Sequence, residues 1–375
     1  MRRFELDWIR VFVFALLIFY HIGMFFVDSW NWHIKNNTTY EWLKYPMQFI
    51  NQWRLPILFL VSGMGTRYAL SSRNAKEFLS ERFKRLFIPL IFGMLIIVAP
   101  QVYVERIVEG QFVGNFIKFY PHYFDGVYPE GNFSWHHLWF LPYLFVYSLL
   151  FTPIFIYLRN HPSLKIISFS KKLVESKFGL LIFLIPLVLI VMYLRPHFKV
   201  THNLYNDWYN FIYSMTYFFY GYLFILLGES FWKSISSIKY IILFIAILAF
   251  CSIMWIINLT ERFPYISEVY SILKAINTFS WILVVLAFCN QHWNSDGKYR
   301  NYLNQAVYPF YILHQTITVC LAFYLYDSDM NDGFKFIILT VGTFAGCWII
   351  FELIRRNKVT RLLFGIKEIK NEIEK

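Results

Sequence analysis

Apolar residues recur along this chain in long unbroken stretches, separated by short polar, aromatic or basic connections. Ten stretches are long enough to cross a bilayer, which takes about 20 apolar residues in a helix. They are residues 9–29, 49–70, 86–104, 138–158, 178–194, 211–227, 240–259, 271–290, 306–326 and 334–354. The fifth is short and the sixth is rich in aromatic residues. Inside lipid, only a helix satisfies its own backbone along a single span. The pattern therefore predicts an all-α fold: a polytopic integral membrane helical bundle of about ten transmembrane helices. An even number of spans puts both termini on one side. Lys and Arg concentrate in the connections on that side, from Arg2 and Arg3 through Arg73, Lys76, Lys171 and Lys172 to a basic tail at about 355–375. That bias predicts cytoplasmic termini. No internal repeat and no appended soluble segment is apparent, so residues 1–375 read as one membrane domain.

Composition agrees. The chain is 58% hydrophobic and 15% charged, against about 25% charged residues in soluble domains. Its net charge of +12 is accounted for by the one-sided loops, so no nucleic acid is expected; the expected partner is the lipid bilayer of the cell (inner or plasma) membrane. Cys251, Cys289, Cys320 and Cys347 sit in or beside apolar runs and read as small hydrophobes. The first span starts with basic residues, but Arg10 interrupts it and no small-residue cleavage site follows. It reads as a retained span.

Candidate chemistry lies in the few charged and imidazole side chains within the spans, each of which needs a partner or a wet cavity. Residues 4–28, FELDWIRVFVFALLIFYHIGMFFVD, carry both Arg10 and His21. At about 100° and 1.5 Å per residue these share one helix face about 16 Å apart. Asp7, three before Arg10, can pair with it. His21 has two readings, an inter-helix hydrogen bond or a general base or nucleophile. Arg54, two residues before Pro56, either snorkels at the outer interface or lines a cavity with His21 and binds an acyl carbonyl, a carboxylate or an oxyanion. Arg82 and Arg85 lie three apart at the start of the third span. They read either as anchoring charges or as a phosphate clamp.

His136 and His137 open the fourth span in WHHLWFLPYL, followed by Trp139. Neighbouring helical histidines diverge by about 100°, so a metal shared by these two is not expected. His314, in YPFYILHQ, is a second-rank cavity group. The outer connections 30–48 and 105–137 are aromatic and amide-rich; they suit either a sugar or an interfacial belt. No Gly-rich phosphate loop, HExxH or nucleophile elbow occurs.

LDWIRVFVFALLIFYH, RLPILFLVSG, FLSERFKRLFIPL, HHLWFLPYL and YPFYILHQ together resemble the membrane acyltransferase 3 family, and WRLPILFLVSG and GNFSWHHLWFL resemble its glucan biosynthesis protein C-like branch. The resemblance runs along nearly the whole chain. It implies transfer of an acyl group, acetyl or succinyl, from cytoplasmic acetyl-CoA or succinyl-CoA to a hydroxyl of an extracytoplasmic glycan or glycolipid. It also implies His21 as the catalytic histidine with Arg10 as its motif partner, and Arg82 and Arg85 at the CoA moiety. Arg54 is expected at the oxyanion, and His136, His137, Trp139 and His314 toward the acceptor. No metal is required. The rival reading is a polytopic transporter or lipid flippase, which also places Arg and His in a midplane cavity.

Overall fold

The computed structural model describes residues 3–259 and 263–367; Arg2 and the end of the basic tail lie outside the described residues. All ten predicted stretches are helical. We number the helices α1 (Phe4–Phe26), α2 (Lys44–Ser71), α3 (Ala75–Val108), α4 (His136–Asn160), α5 (Lys165–Glu175), α6 (Gly179–Tyr193), α7 (Trp208–Leu226), α8 (Glu229–Ile257), α9 (Ile266–His292), α10 (Arg300–Leu325), α11 (Asp332–Ile354) and α12 (Lys358–Leu363). The described residues contain no strand, only isolated bridges between Val27 and Tyr40 and between Val127 and Phe133.

Among the described residues, seven helices are both long and apolar enough to cross a membrane: α1, α3, α4, α8, α9, α10 and α11. The other three predicted spans differ for physical reasons. Helix α6 is short. Helix α7 carries repeated tyrosines, of which Tyr209, Tyr213, Tyr217, Tyr220 and Tyr222 are buried. Helix α2 holds Gln52 and Arg54, both turned into protein; a polar helix at membrane depth must face protein in this way.

The chain forms two compact units, the first within Met1–Arg10, Gln48–Leu79 and Val146–Gly297, the second within Val11–Met47, Ser80–Phe145 and Lys298–Lys375. In the first, α8 and α9 form the most extensive helix pair, with α6 against α9 and the amphipathic α5 against α8. Arg3 fastens the start of α1 here: it pairs with Glu229 at 2.6 Å, donates to Asn290 at 2.7 Å and lies over Trp232. Exposed Phe244 and Leu248 present α8's outer face to lipid.

The second unit is built on the α10–α11 pair, with α3 against α10. Its core gathers Ile18, Ile22 and Phe25 of α1 with Val104, Val319 and Leu339. Lys35 closes the end of α1 by donating to the carbonyls of Met24 (2.7 Å) and Val27 (2.5 Å), acceptors that a helix C-terminus leaves unsatisfied. Burial pulls the Lys35 amine down to about 8, opposed by Asp28. Helix α3 contains two π turns, Phe83–Phe87 and Gly93–Ile97. Such turns are uncommon and frequently sit at functional sites. Pro89 contributes to the first, since it has no N–H to offer the Arg85 carbonyl.

Candidate active site

Five histidines collect in the second unit, from α1, the loop after it, α4 and α10. His21 Nδ1 lies 2.7 Å from His314 Nε2, and the two rings stack at 5.0 Å and 6°. His314 is fully buried. Its Nδ1 faces the carbonyls of Phe310 and Tyr311 at 3.0 and 2.8 Å. A carbonyl only accepts, so the proton of neutral His314 sits on Nδ1 and the Nε2 lone pair accepts from His21 Nδ1–H. The His21 lone pair is thereby assigned to Nε2. Such a chain of contacts orients a general base, with a second group holding its far nitrogen.

His137 stands against the same pair. Its ring is 5.3 Å from His314, its Nε2–H donates to the Ile312 carbonyl at 3.0 Å, and Gln101 Nε2 faces its Nδ1 at 3.4 Å. Gln101 also meets Thr316 at 2.6 Å and Gln315 at 3.0 Å, and Gln315 meets His33 at 2.9 Å. His33 pairs with Glu105 through a short hydrogen bond. A buried polar network thus runs from Glu105 through His33, Gln315 and Gln101 to His137, beside the His21–His314 pair. Networks of this kind are fixed in geometry because every unsatisfied member is costly at low dielectric.

His136 and His137 point apart: His136 faces His33 at 4.7 Å and Tyr128 at 4.6 Å. Trp139 is buried and packs edge-on against Tyr143. The aromatic loop before α4 is largely occupied with itself. Phe119 and Tyr123 are buried, and Tyr123 lies between the carbonyls of Met94 and Ser134. Arg106 braces it through Asn132, Pro129 and Gly131. Exposed Val113, Ile117, Phe124 and Val127 form its outer rim, which suits the interfacial belt.

The expected Asp7–Arg10 pair forms at 3.1 Å, and Arg10 also donates to the Val61 carbonyl of α2 at 3.4 Å. Gly65 makes this possible, since a Cβ there would stand 2.8 Å from the Arg10 guanidinium. Gly65→Ala displaces a flexible guanidinium, not backbone. The expected result is a fall of about tenfold in any activity that needs Arg10, with an unchanged melting temperature. Loss of both together would show a packing role instead. Arg54 does not snorkel: it is 2% exposed. Arg10 and Arg54 belong to the first unit, and His21, His33, His136, His137 and His314 to the second.

Arg85 donates to the Gly365 carbonyl at 3.2 Å and pairs with Glu81 at 3.6 Å. Gly365 has φ +63°, and a Cβ there would meet Tyr308 and the Arg85 carbonyl. The segment after α12 therefore returns to the first π turn of α3. Arg361 of the basic tail stands in α12, just before that segment.

An arginine–histidine helix, an oriented imidazole pair and basic residues at the foot of α3 belong together on one sequence profile, the acyltransferase 3 family profile described as an acyltransferase domain, which matches residues 3–352. The chain belongs to this family. It is also similar to glucans biosynthesis protein C of Escherichia coli O1:K1 / APEC, with 23% identity over 383 residues, 98% of this chain and 95% of that protein. The protein of that name from Shigella dysenteriae serotype 1 (strain Sd197) is 28% identical over 164 residues, 43% of this chain and 40% of its own length. That of Escherichia coli K12 is 27% identical over 164 residues. No solved structure matches the chain significantly. As a family member with seven long apolar helices, the chain is a multi-pass membrane acyltransferase.

Proposed function

We propose that the chain is an acyl-CoA-dependent O-acyltransferase of the cell membrane, with ten membrane-crossing segments and both termini in the cytoplasm. The observation that carries this reading is the His21–His314 contact, which leaves a basic lone pair on His21 Nε2. In the proposed step, His21 Nε2 takes the proton of an acceptor hydroxyl as its oxygen attacks the thioester carbonyl. The tetrahedral adduct collapses by breaking the C–S bond, and His21 returns the proton to the departing CoA thiolate. The product is an ester and free CoA, with no net consumption of ATP. The acceptor is an extracytoplasmic glycan or glycolipid hydroxyl, a class in keeping with the name of the glucans biosynthesis relatives.

Arg82 and Arg85 hold the CoA phosphates in this reading, aided by Arg361, and Arg10 anchors the donor along α1. Charge-assisted contacts to an anion contribute about 1.5–3 kcal/mol each. Arg82→Ala and Arg85→Ala are each expected to raise KM for acyl-CoA about tenfold or more with kcat spared. A change in kcat alone would remove the clamp role.

The direct test is to incubate membranes containing the chain with radiolabelled acetyl-CoA or succinyl-CoA and follow label into glycan and glycolipid fractions. Label in an ester-linked product, released by mild base, is the expected result. A carrier or flippase would consume no acyl-CoA, and that outcome overturns the reading.

A further inference from the structure

The sequence offers no metal motif, yet folding brings together three ligand-bearing side chains that are far apart in the chain. His33 comes from the loop after α1, Glu105 from the last turn of α3 and His136 from the start of α4. Their nearest donor atoms all lie within 4.8 Å of one another. From this geometry we infer a divalent-cation site of the Zn2+ type, with His33, Glu105 and His136 as its ligands.

Several independent features point the same way. Two imidazoles and one carboxylate are a ligand set that suits Zn2+, leaving a fourth position open. His33 and Glu105 are buried, where an ion would be shielded from competing water. His136 Nε2 is also buried, with no hydrogen-bond partner among the described residues. A buried polar atom in that state is costly, and a metal bond would remove the cost. His136 further adopts φ +37°, a conformation that a non-glycine residue rarely holds. That backbone turn sends its ring toward His33 while His137 goes to Ile312.

The surroundings also fit. Gln315 lies 2.9 Å from His33 Nε2. That is the position from which a second side chain orients a metal-bound imidazole. Glu105 turns one oxygen to His33, while its other lies 3.8 Å from Arg106. Tyr128 hydrogen-bonds Glu105 as well; burial first, then this carboxylate, pushes its phenol up to about 12. Binding would open the short His33–Glu105 contact and draw the three donors to about 3.4 Å apart, the spacing of tetrahedral ligands at 2.0–2.1 Å. A side-chain shift of about an ångström suffices.

The test uses the full chain in detergent, purified without a polyhistidine tag and stripped with chelator, then titrated with Zn2+ and with Co2+. The expected result is about one saturable Zn2+ per chain and the visible bands of four-coordinate Co2+. Both should be lost in His136→Ala and in Glu105→Gln, and retained in His161→Ala, a control that removes an exposed histidine elsewhere. His136→Ala sacrifices no hydrogen bond of its Nε2, so it reports on the site even if Glu105→Gln fails to fold. Gln315→Leu is expected to weaken binding about 10- to 100-fold. No saturable binding, or binding unaltered in both ligand variants, would leave only a His33–Glu105 pair and overturn the inference. The readout needs no acyl-CoA, so it stands or falls separately from the transfer reaction.

Discussion

Replacing His21 with alanine is expected to lower acyl transfer by about 10²- to 10⁴-fold, the usual contribution of a positioned general base. Size-exclusion profile and melting temperature should stay as in the parent protein. The His21 imidazole is half-buried and meets His314 Nε2, outside the buried core of neighbouring Ile18 and Ile22. His314→Ala is the informative companion. His314 is a positioning residue: it acts through His21 by accepting from Nδ1 and so fixing which nitrogen carries the lone pair. Without it, both His21 tautomers become accessible and the ring can turn. We expect kcat to fall about 10- to 10³-fold, less than for His21→Ala, while KM for acyl-CoA holds. The two variants should also be non-additive, because both remove one unit of function. Transfer at the parental rate in His21→Ala would remove that residue from the chemistry altogether.

How much of this was legible in the sequence follows from how local each feature is. The helices were legible because a bilayer demands long apolar runs, and all ten stretches fold as helices. The Asp7–Arg10 pair was legible because three residues along a helix fix two side chains on one face. His21 was marked as an imidazole where lipid would be expected. Its partner was not assignable, since His314 lies 293 positions away and nothing local in YPFYILHQ says which helix it meets. His33, Glu105, Gln101 and Gln315 were passed over for the same reason. Each is a lone polar residue at the end of an apolar run or in a loop, and only the packing of α1, α3, α4 and α10 makes them neighbours. Helices α2 and α7 show the reverse case. Both read as spans, with Arg54 open between snorkelling and facing inward and the sixth stretch marked as aromatic; Arg54, Gln52 and the tyrosines turn into protein, which hydropathy summed along the chain does not resolve. Ser62 and Gly63 of α2 are small residues of the kind that admit a close helix neighbour, without naming it.

That neighbour is α7, and the contact carries the largest expected effect on stability. A Cβ on Gly63 would stand 1.9 Å from the Phe218 carbonyl oxygen, and a Cβ on Gly221 would stand 1.8 Å from the Leu60 carbonyl oxygen. The two glycines are reciprocal: each opens α2 or α7 to the backbone of the other, the arrangement that small residues permit between membrane helices. In both cases the obstacle is main chain, so no rotamer change relieves it. Gly63→Ala or Gly221→Ala must push the helices apart by more than an ångström along their contact. Such overpacking costs about 3 kcal/mol or more, and the nearby Phe155–Tyr222 stack at 3.7 Å would be disturbed with it. The expected outcome is a melting temperature lowered by about 5 °C or more in detergent, or loss of the monodisperse protein, for either single variant. The double variant should cost less than the sum, since one separation of the helices relieves both clashes. Gly65, two residues from Gly63 on the same helix, supplies the control. Its Cβ would meet only the Arg10 guanidinium, so Gly65→Ala should spare stability and lower activity. If Gly221→Ala melted like the parent protein, the close approach of α2 and α7 would be wrong, and with it the register that sets the Val61 carbonyl and Gly65 against Arg10.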